Sequence, residues 1–206
     1  MQQKRIRGKA GMNNNITTFS GQSFNPVNPD PDTICIEDIA HALSLICRAN
    51  GHVKIFWSVG QHCINCSKEA RARGLSDRLA LACLLHDASE CYLSDVPSPF
   101  KRELPAYKEL EDRLLNMVYE KFLGTPLTEE EERELKAIDE AMLWYDLKNL
   151  LDEDQTGVRP RIMTKLDYRV RPFEDVEKEY LELFELYSDG LQPDSKGGSN
   201  YVAADD

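Results

Sequence analysis

The sequence predicts an all-α protein, a bundle of about six helices. Apolar residues recur at intervals of three and four over several long segments, which is the spacing of one face of an α-helix. Residues typical of helix starts and stops stand between these segments. No convincing run of alternating apolar and polar residues, the pattern of a half-buried strand, is found. Together these observations favour helix packing on helix.

The first three predicted helices occupy residues 34–92. The helical pattern of the first begins at residue 34 and runs to about residue 49, with acidic residues in its first turn, where they interact well with the helix dipole. The second covers about 57–73 and ends at Gly74, a residue typical of helix C-termini. Ser76 is a favourable N-cap for the third, which runs to about residue 92 before a proline-containing loop.

Three further helices are predicted in the second half of the chain. The fourth covers 105–123 and has apolar residues along one face. Thr128 and Glu131 form a capping box that starts a long fifth helix, which ends near residue 151. The last covers about 172–187. These helices complete the predicted bundle.

The length and composition indicate one domain with polar flanks. A chain of 206 residues, of which 41% are hydrophobic, can bury one substantial core. Residues 1–33 form a polar arm interrupted by glycine and prolines, and we expect it to be loosely attached. Residues 34–188 are the predicted domain. Residues 189–206 are rich in Gly, Ser and Asp and are predicted to be disordered.

The charge and the absence of targeting signals limit the class of protein. The formal charge is −11, and it becomes −15 once the four basic residues among the first eleven are set aside. We therefore expect no binding to extended nucleic acid, although a small phosphorylated substrate is compatible with a local positive site. No secretion signal or membrane-spanning run is found, so the prediction is a cytoplasmic protein with no membrane partner.

The six cysteines are predicted to be reduced thiols, as is usual in the cytoplasm. Cys63 and Cys66 form a CxxC motif, but no second pair follows at the spacing of a zinc finger. Both fall on the apolar stripe of the second helix. We interpret them as packing residues.

Ionisable residues interrupt the apolar faces of three predicted helices. His86 and Asp87 stand side by side at the end of an apolar run, and Glu90 follows one turn later in the same sector of the helix. His62 lies on the inward face of the second helix, and Asp139 interrupts the apolar row of the fifth. The predicted inward row of the fifth helix is Leu135, Ile138, Asp139, Met142, Leu143, Asp146 and Leu150. Buried charges need partners. Two imidazoles and two carboxylates from three helices suit one divalent ion, with positions left open for water and substrate.

These residues carry a resemblance to a known superfamily. His62, the His86-Asp87 doublet and Asp139 resemble the signature of the HD superfamily of metal-dependent phosphohydrolases, over about residues 36–151. Residues 86–101 are similar to the corresponding segment of bacterial 5'-deoxynucleotidases and of small phage-type deoxynucleoside triphosphate hydrolases. Residues 48–52 and 58–62 also resemble the small HD hydrolases. The resemblance implies the HD-domain helical bundle, a hydrolase of nucleotide metabolism, and one divalent ion (Co, Mn, Zn or Mg) held by the four residues. It is also compatible with a homodimer.

Four further residues are candidates for catalysis and substrate binding. Glu90 could orient the attacking water or act as its base, and Asp95 could protonate the leaving oxygen or hold a sugar hydroxyl. Arg48 could bind a phosphate with two parallel hydrogen bonds, and Lys101 could add positive charge. Each has an ordinary alternative: a helix-end carboxylate for Glu90, turn formation for Asp95, and a surface cation for Arg48 and Lys101.

Other residues near these candidates leave their roles open. His52 joins a substrate pocket or packs under a loop. Phe56 and Trp57 line a base pocket or belong to the core, which is the commoner place for aromatic residues. Five basic residues cluster on what we interpret as a surface connection: Arg159, Arg161, Lys165, Arg169 and Arg171.

The predicted function is hydrolysis of a small nucleotide. The leading hypothesis is a phosphohydrolase of (deoxy)nucleoside 5'-monophosphates, and the same chemistry also allows a deoxynucleoside triphosphate hydrolase that releases tripolyphosphate. A non-catalytic HD module that senses nucleotide or metal is the alternative of a different class. Hydrolysis of alarmones is a further alternative, but residues 90–101 look closer to the nucleotidases.

Overall fold

The chain folds as an all-α bundle, as predicted from the sequence. The computed structural model describes residues 14–191, so most of the predicted tail, 192–206, and the start of the arm lie outside the described residues. Eight α-helices are found in that part of the chain. They are α1 (Ile36–Leu45), α2 (Val59–Ala72), α3 (Asp77–Leu85), α4 (Glu90–Leu93), α5 (Ser98–Lys101), α6 (Pro105–Leu123), α7 (Glu129–Leu150) and α8 (Phe173–Asp189). No helix within residues 14–191 is long and apolar enough to cross a membrane.

The central helix of the bundle is α3. It contacts α2, α6, α7 and α8, and every side chain from Leu79 to Leu85 is buried. A helix that is apolar on all sides can be accommodated only where other elements surround it. The Tyr180 hydroxyl of α8 donates a hydrogen bond to the Leu84 carbonyl, 2.6 Å away, near the end of this helix.

Local capping determines where α2, α3 and α7 begin. The Ser58 side chain accepts from the Gln61 N–H, and the Gln61 side chain accepts from the Ser58 N–H. Thr128 and Glu131 make the same reciprocal pair at α7, and Ser76 caps α3. These motifs satisfy N–H groups that have no partner within the helix.

The first predicted helix is shorter than expected. We predicted that it would reach about residue 49, but α1 ends at Leu45 because Ile46 and Cys47 are extended and Cys47 forms a β-bridge with Ser58. Residues Arg48–Gly51 then form a 3-10 turn in which Ala49 and Asn50 have positive φ angles. The chain therefore turns back sharply before α2.

The third predicted helix is divided into α3 and α4. Between them, Ala88, Glu90 and Cys91 donate backbone hydrogen bonds to residues three positions earlier, as in a 3-10 helix. On α7 the predicted inward row includes Leu143, which is in fact exposed, whereas Ala141 and Tyr145 are buried.

Part of the N-terminal arm packs on the bundle. Two short antiparallel strands, β1 (Ile16–Thr17) and β2 (Ser23–Phe24), form a hairpin that the sequence did not predict. Phe24 is fully buried and stacks on Tyr92, with 3.9 Å between ring centroids. Ser20 donates to Asp38 on α1 through its N–H and its hydroxyl. Residues 14–33 are therefore tied to the bundle.

Candidate metal centre

The four predicted metal ligands lie together beside the end of α3. His62 comes from α2, His86 and Asp87 from the turn after α3, and Asp139 from α7. Asp139 Oδ1 is 2.9 Å from His62 Nε2 and 3.6 Å from His86 Nε2, and His86 Nε2 is 3.3 Å from Asp87 Oδ2. Asp139 Oδ1 thus contacts both imidazoles, and His86 Nε2 links them to Asp87.

A cysteine belongs to the same cluster. Cys66 Sγ lies 3.5 Å from His62 Nε2, one turn further along α2. The sequence interpretation assigned Cys63 and Cys66 to packing, and both are indeed buried in the core. The ligand atoms of His62, Cys66, His86 and Asp139 lie within 4.8 Å of one another, and so do those of Cys63, His86 and Asp87. His86 is common to both groups.

The orientation of the two imidazoles suits a cation. His86 Nδ1 is 2.8 Å from the Cys83 carbonyl and donates to it, which leaves Nε2 facing the acidic residues, and this buried nitrogen makes no hydrogen bond among the described residues. His62 is fully buried. A histidine whose second nitrogen is fixed by a hydrogen bond is the usual form of a metal ligand.

The electrostatics of the cluster favour positive charge. Burial and the nearby Arg48 oppose protonation of His62. Cys66, Asp139 and Asp146 outweigh them and raise the pKa of His62 well above its ordinary value. Burial also opposes protonation of His86, and Asp87 is the largest of the influences that raise its pKa. For Asp139, burial is outweighed by the hydrogen bond from His62 and by the nearby His86 imidazole, which lower the pKa of Asp139. The donor set and its charge fit a divalent metal ion.

A third carboxylate stands behind His62. Asp146 is 5% exposed, and its Oδ2 is 2.9 Å from His62 Nδ1. The same oxygen is 3.5 Å from Arg48 Nε, and Arg48 Nη1 is 3.4 Å from Asp87 Oδ2. Arg48 is therefore a partly buried cation inside the site and not a surface arginine. The sequence interpretation placed Asp146 on the inward row of α7 but gave it no role in the site.

Glu90 and Lys101 lie beside the predicted ligands. Glu90 is buried, and its Oε2 has no hydrogen-bond partner among the described residues. Burial raises the pKa of Glu90 well above its ordinary value, and the negative charges of Asp87 and Asp95 add to the rise. Lys101 Nζ is 3.8 Å from Glu90 Oε1, and it forms a closer ion pair with Glu111 on α6.

Asp95 contacts the turn that carries Arg48. Its Oδ2 accepts a hydrogen bond from the Ala49 N–H, 3.1 Å away. Ala49 has a positive φ angle, which is unfavourable for a residue with a side chain. Asp95 thus contributes to holding the 48–51 turn at the edge of the site.

The remaining candidates are divided between core and surface. Trp57 is buried and packs on Tyr168, with 4.8 Å between ring centroids, whereas Phe56 and His52 are exposed. Arg159, Arg161, Lys165 and Arg169 are exposed along the connection between α7 and α8, as expected for a surface segment.

Fold and site together define an all-α protein with a cluster of His, Cys and Asp positioned to hold a metal ion, an arrangement compatible with an HD domain. No family model matches the sequence. The chain is 35% identical over 156 residues to YfdR, an uncharacterized protein of Escherichia coli K12, and the match covers 70% of this chain and 85% of that protein. It is 39% identical over 127 residues to an uncharacterized protein of Rhodobacter capsulatus, which covers 59% of this chain and 65% of that protein. The chain therefore belongs to the same family as YfdR.

Proposed function

We propose that the protein is a metal-dependent phosphohydrolase of the HD superfamily that acts on nucleoside 5'-monophosphates. The main support for this proposal is the geometry of the site. The four predicted ligands converge through Asp139 and His86, and a buried carboxylate, Glu90, lies beside them without a full set of hydrogen bonds. His62, Asp87 and Cys66 complete the donors available to an ion. A divalent ion held there would polarise a phosphoryl oxygen and lower the pKa of a nearby water.

Glu90 is the base in the proposed reaction. It accepts a proton from the attacking water as the water oxygen bonds to phosphorus. A base is most effective when its pKa lies near the pH of the reaction, and the raised pKa of Glu90 supports this role. Lys101, at 3.8 Å, provides a positive charge that opposes the rise.

Asp95 is assigned to the leaving side of the reaction. As the bond between phosphorus and the 5' oxygen breaks, that oxygen must gain a proton. Asp95 either gives this proton or accepts a hydrogen bond from a sugar hydroxyl. Its hydrogen bond with the Ala49 N–H uses one carboxylate oxygen, Oδ2, which leaves Oδ1 for this contact.

The number of cations at the site favours a monophosphate over a triphosphate. Within residues 14–191, Arg48 and Lys101 are the arginine and lysine side chains that form ion pairs with Asp87, Glu90 or Asp146. A phosphate monoester carries a charge of about −2 at neutral pH, and each further phosphate group adds negative charge. Two cations among several carboxylates are better matched to one phosphate group than to three.

The experiment is a substrate screen with the full-length protein. Nucleoside and deoxynucleoside mono- and triphosphates are incubated with Co²⁺, Mn²⁺, Zn²⁺ or Mg²⁺, and inorganic phosphate and tripolyphosphate are identified by phosphorus NMR. We expect phosphate release from monophosphates that a chelator stops. Glu90→Gln should lower kcat by about 100-fold or more, the usual contribution of a general base. Asp139→Ala should abolish turnover, whereas Glu140→Ala, at the exposed neighbour on the same helix, should not.

Other products would redirect the proposal. Tripolyphosphate release would favour the triphosphate hydrolase. Stabilisation by a nucleotide without turnover would favour the sensor module. Normal turnover of Asp139→Ala would remove that residue from the site.

A further inference from the structure

We propose that Asp146 is a positioning residue, which fixes the His62 imidazole with Nε2 toward the metal centre and holds Arg48 beside it. This role rests on the metal centre of the proposed function. It does not depend on which phosphate ester is hydrolysed.

The first observation is the contact of Asp146 with His62. Asp146 Oδ2 lies 2.9 Å from His62 Nδ1 in a fully buried environment. A carboxylate can only accept hydrogen bonds, so the Nδ1 of His62 must carry the proton. By the same rule Nε2, which lies 2.9 Å from Asp139 Oδ1 and faces Cys66, also carries a proton in this structure. An ion bound at Nε2 would take the place of that proton, and the contact with Asp146 would keep the other proton on Nδ1. Asp146 thus selects the tautomer in which His62 can bind a metal ion.

The second observation is that Asp146 is itself held in place. Its other oxygen, Oδ1, accepts a hydrogen bond of 3.0 Å from the Tyr168 hydroxyl. Tyr168 belongs to the connection between α7 and α8, and its ring packs on the buried Trp57. With both oxygens engaged, the carboxylate has little freedom to rotate away from His62.

The third observation connects the metal centre with the phosphate-binding candidate. Arg48 Nε is 3.5 Å from the same Oδ2, and Arg48 Nη1 reaches Asp87. The guanidinium group is planar, so two contacts on different nitrogens define its orientation. Asp146 therefore positions an imidazole and a guanidinium with one oxygen atom.

The test measures metal affinity and the position of the proton, not turnover. The chain has four histidines, so ¹⁵N-histidine labelling gives few ring signals, and His62→Gln assigns the one of interest. In zinc-loaded wild-type protein, His62 should be protonated at Nδ1 and coordinated through Nε2. Affinity for Zn²⁺ and Co²⁺ is measured by competition with a chromogenic chelator.

Three variants separate positioning from general stability. Asp146→Ala removes the acceptor and should weaken metal binding by about 10–100-fold, the usual effect of losing such a partner. Asp146→Asn keeps the shape but not the charge, so it should weaken binding less. Tyr168→Phe removes the other contact of the same carboxylate and should change affinity by less than about threefold, because the contact with His62 remains.

Two results would overturn the proposal. One is a zinc-loaded wild-type protein whose His62 carries its proton on Nε2, a measurement that does not depend on whether any variant folds. The other is unchanged affinity in a folded Asp146→Ala protein, since Asp146 would then only stabilise the fold. If wild-type protein bound no metal at all, the metal centre would be refuted, and this role with it.

Discussion

Glu69 attaches the connection between α7 and α8 to α2, and its replacement by glutamine should destabilise the protein. The carboxylate is fully buried. It accepts hydrogen bonds from the Met163 N–H at 2.9 and 3.0 Å, from the Thr164 N–H at 2.8 Å and from Arg73 Nε at 2.8 Å. These four contacts use both oxygens of one side chain.

The expected loss of stability follows from the number of hydrogen bonds that an amide side chain can accept. A glutamine side chain in place of Glu69 would keep one oxygen, and its NH₂ group would face N–H donors that it cannot bind. A hydrogen bond to a charged group contributes about 1.5–3 kcal/mol, and an unsatisfied buried donor costs a further 1–3 kcal/mol or so. We therefore expect a loss of about 3 kcal/mol in the free energy of unfolding. For a protein of this size that lowers Tm by about 6–12 °C.

Urea unfolding followed by circular dichroism and tryptophan fluorescence measures this loss. Glu179→Gln is the matched control, because Glu179 pairs with Lys68 and Arg171 at the same side of the bundle but is about one fifth exposed. Its cation partners, Lys68 and Arg171, are 41% and 33% exposed. Ion pairs that solvent reaches contribute about 0–1 kcal/mol, so the control should lose about 1 kcal/mol or less. The anchoring role of Glu69 would be refuted if Glu69→Gln lay within about 0.5 kcal/mol of wild type, or if the control lost more.

Two further predictions concern the bundle itself. Gly60→Ala should lower the free energy of unfolding by about 1–3 kcal/mol, because the added Cβ would lie 3.2 Å from the Leu43 backbone. This loss is expected despite the better helix propensity of alanine. Equal or higher stability in urea would contradict the prediction. Burial opposes ionisation of Glu131, but the hydrogen bond from Arg78 outweighs it and lowers the pKa of Glu131. The ionised Glu131 carboxylate therefore stabilises the folded state above the unfolded-state pKa, and this contribution to the free energy of unfolding is lost as pH falls through the folded-state pKa. Glu131→Gln should lower Tm at neutral pH, and the difference from wild type should shrink in acid; a difference independent of pH would argue against this.

Local signals allowed most helices to be predicted from the sequence. The capping box at Thr128 and the N-cap at Ser76 act over three or four residues, so their effect is readable without knowledge of the fold. The end of α1 could not be read in this way. It depends on the bridge between Cys47 and Ser58, which forms only when the chain turns back over the intervening residues.

The hairpin of residues 16–24 was missed for a similar reason. Two strands of two residues each are too short to show any alternation. What fixes them is tertiary contact: Phe24 inserts beside Tyr92, and Ser20 binds Asp38. A polar segment with one buried aromatic residue reads as an arm until its partner is known.

Asp146 shows what the sequence contained but did not reveal. Asp139 and Asp146 are seven residues apart on α7, two turns or about 10.5 Å along the helix, so they project from nearly the same face. One accepts from Nε2 of His62 and the other from Nδ1, so the two carboxylates bracket a single imidazole. The spacing was readable, because it places two acids on an apolar row, where each acid needs a partner. In the structure His62 is the partner of both. That partner lies 84 residues from Asp146, and only the packing of α2 against α7 identifies it.

The two acids have unequal roles because the two nitrogens of His62 have different surroundings. Nε2 faces His86 and Cys66 as well as Asp139, whereas Nδ1 faces Asp146 and, behind it, Arg48. Asp139 is therefore suited to bind an ion, and Asp146 to orient the residues that do.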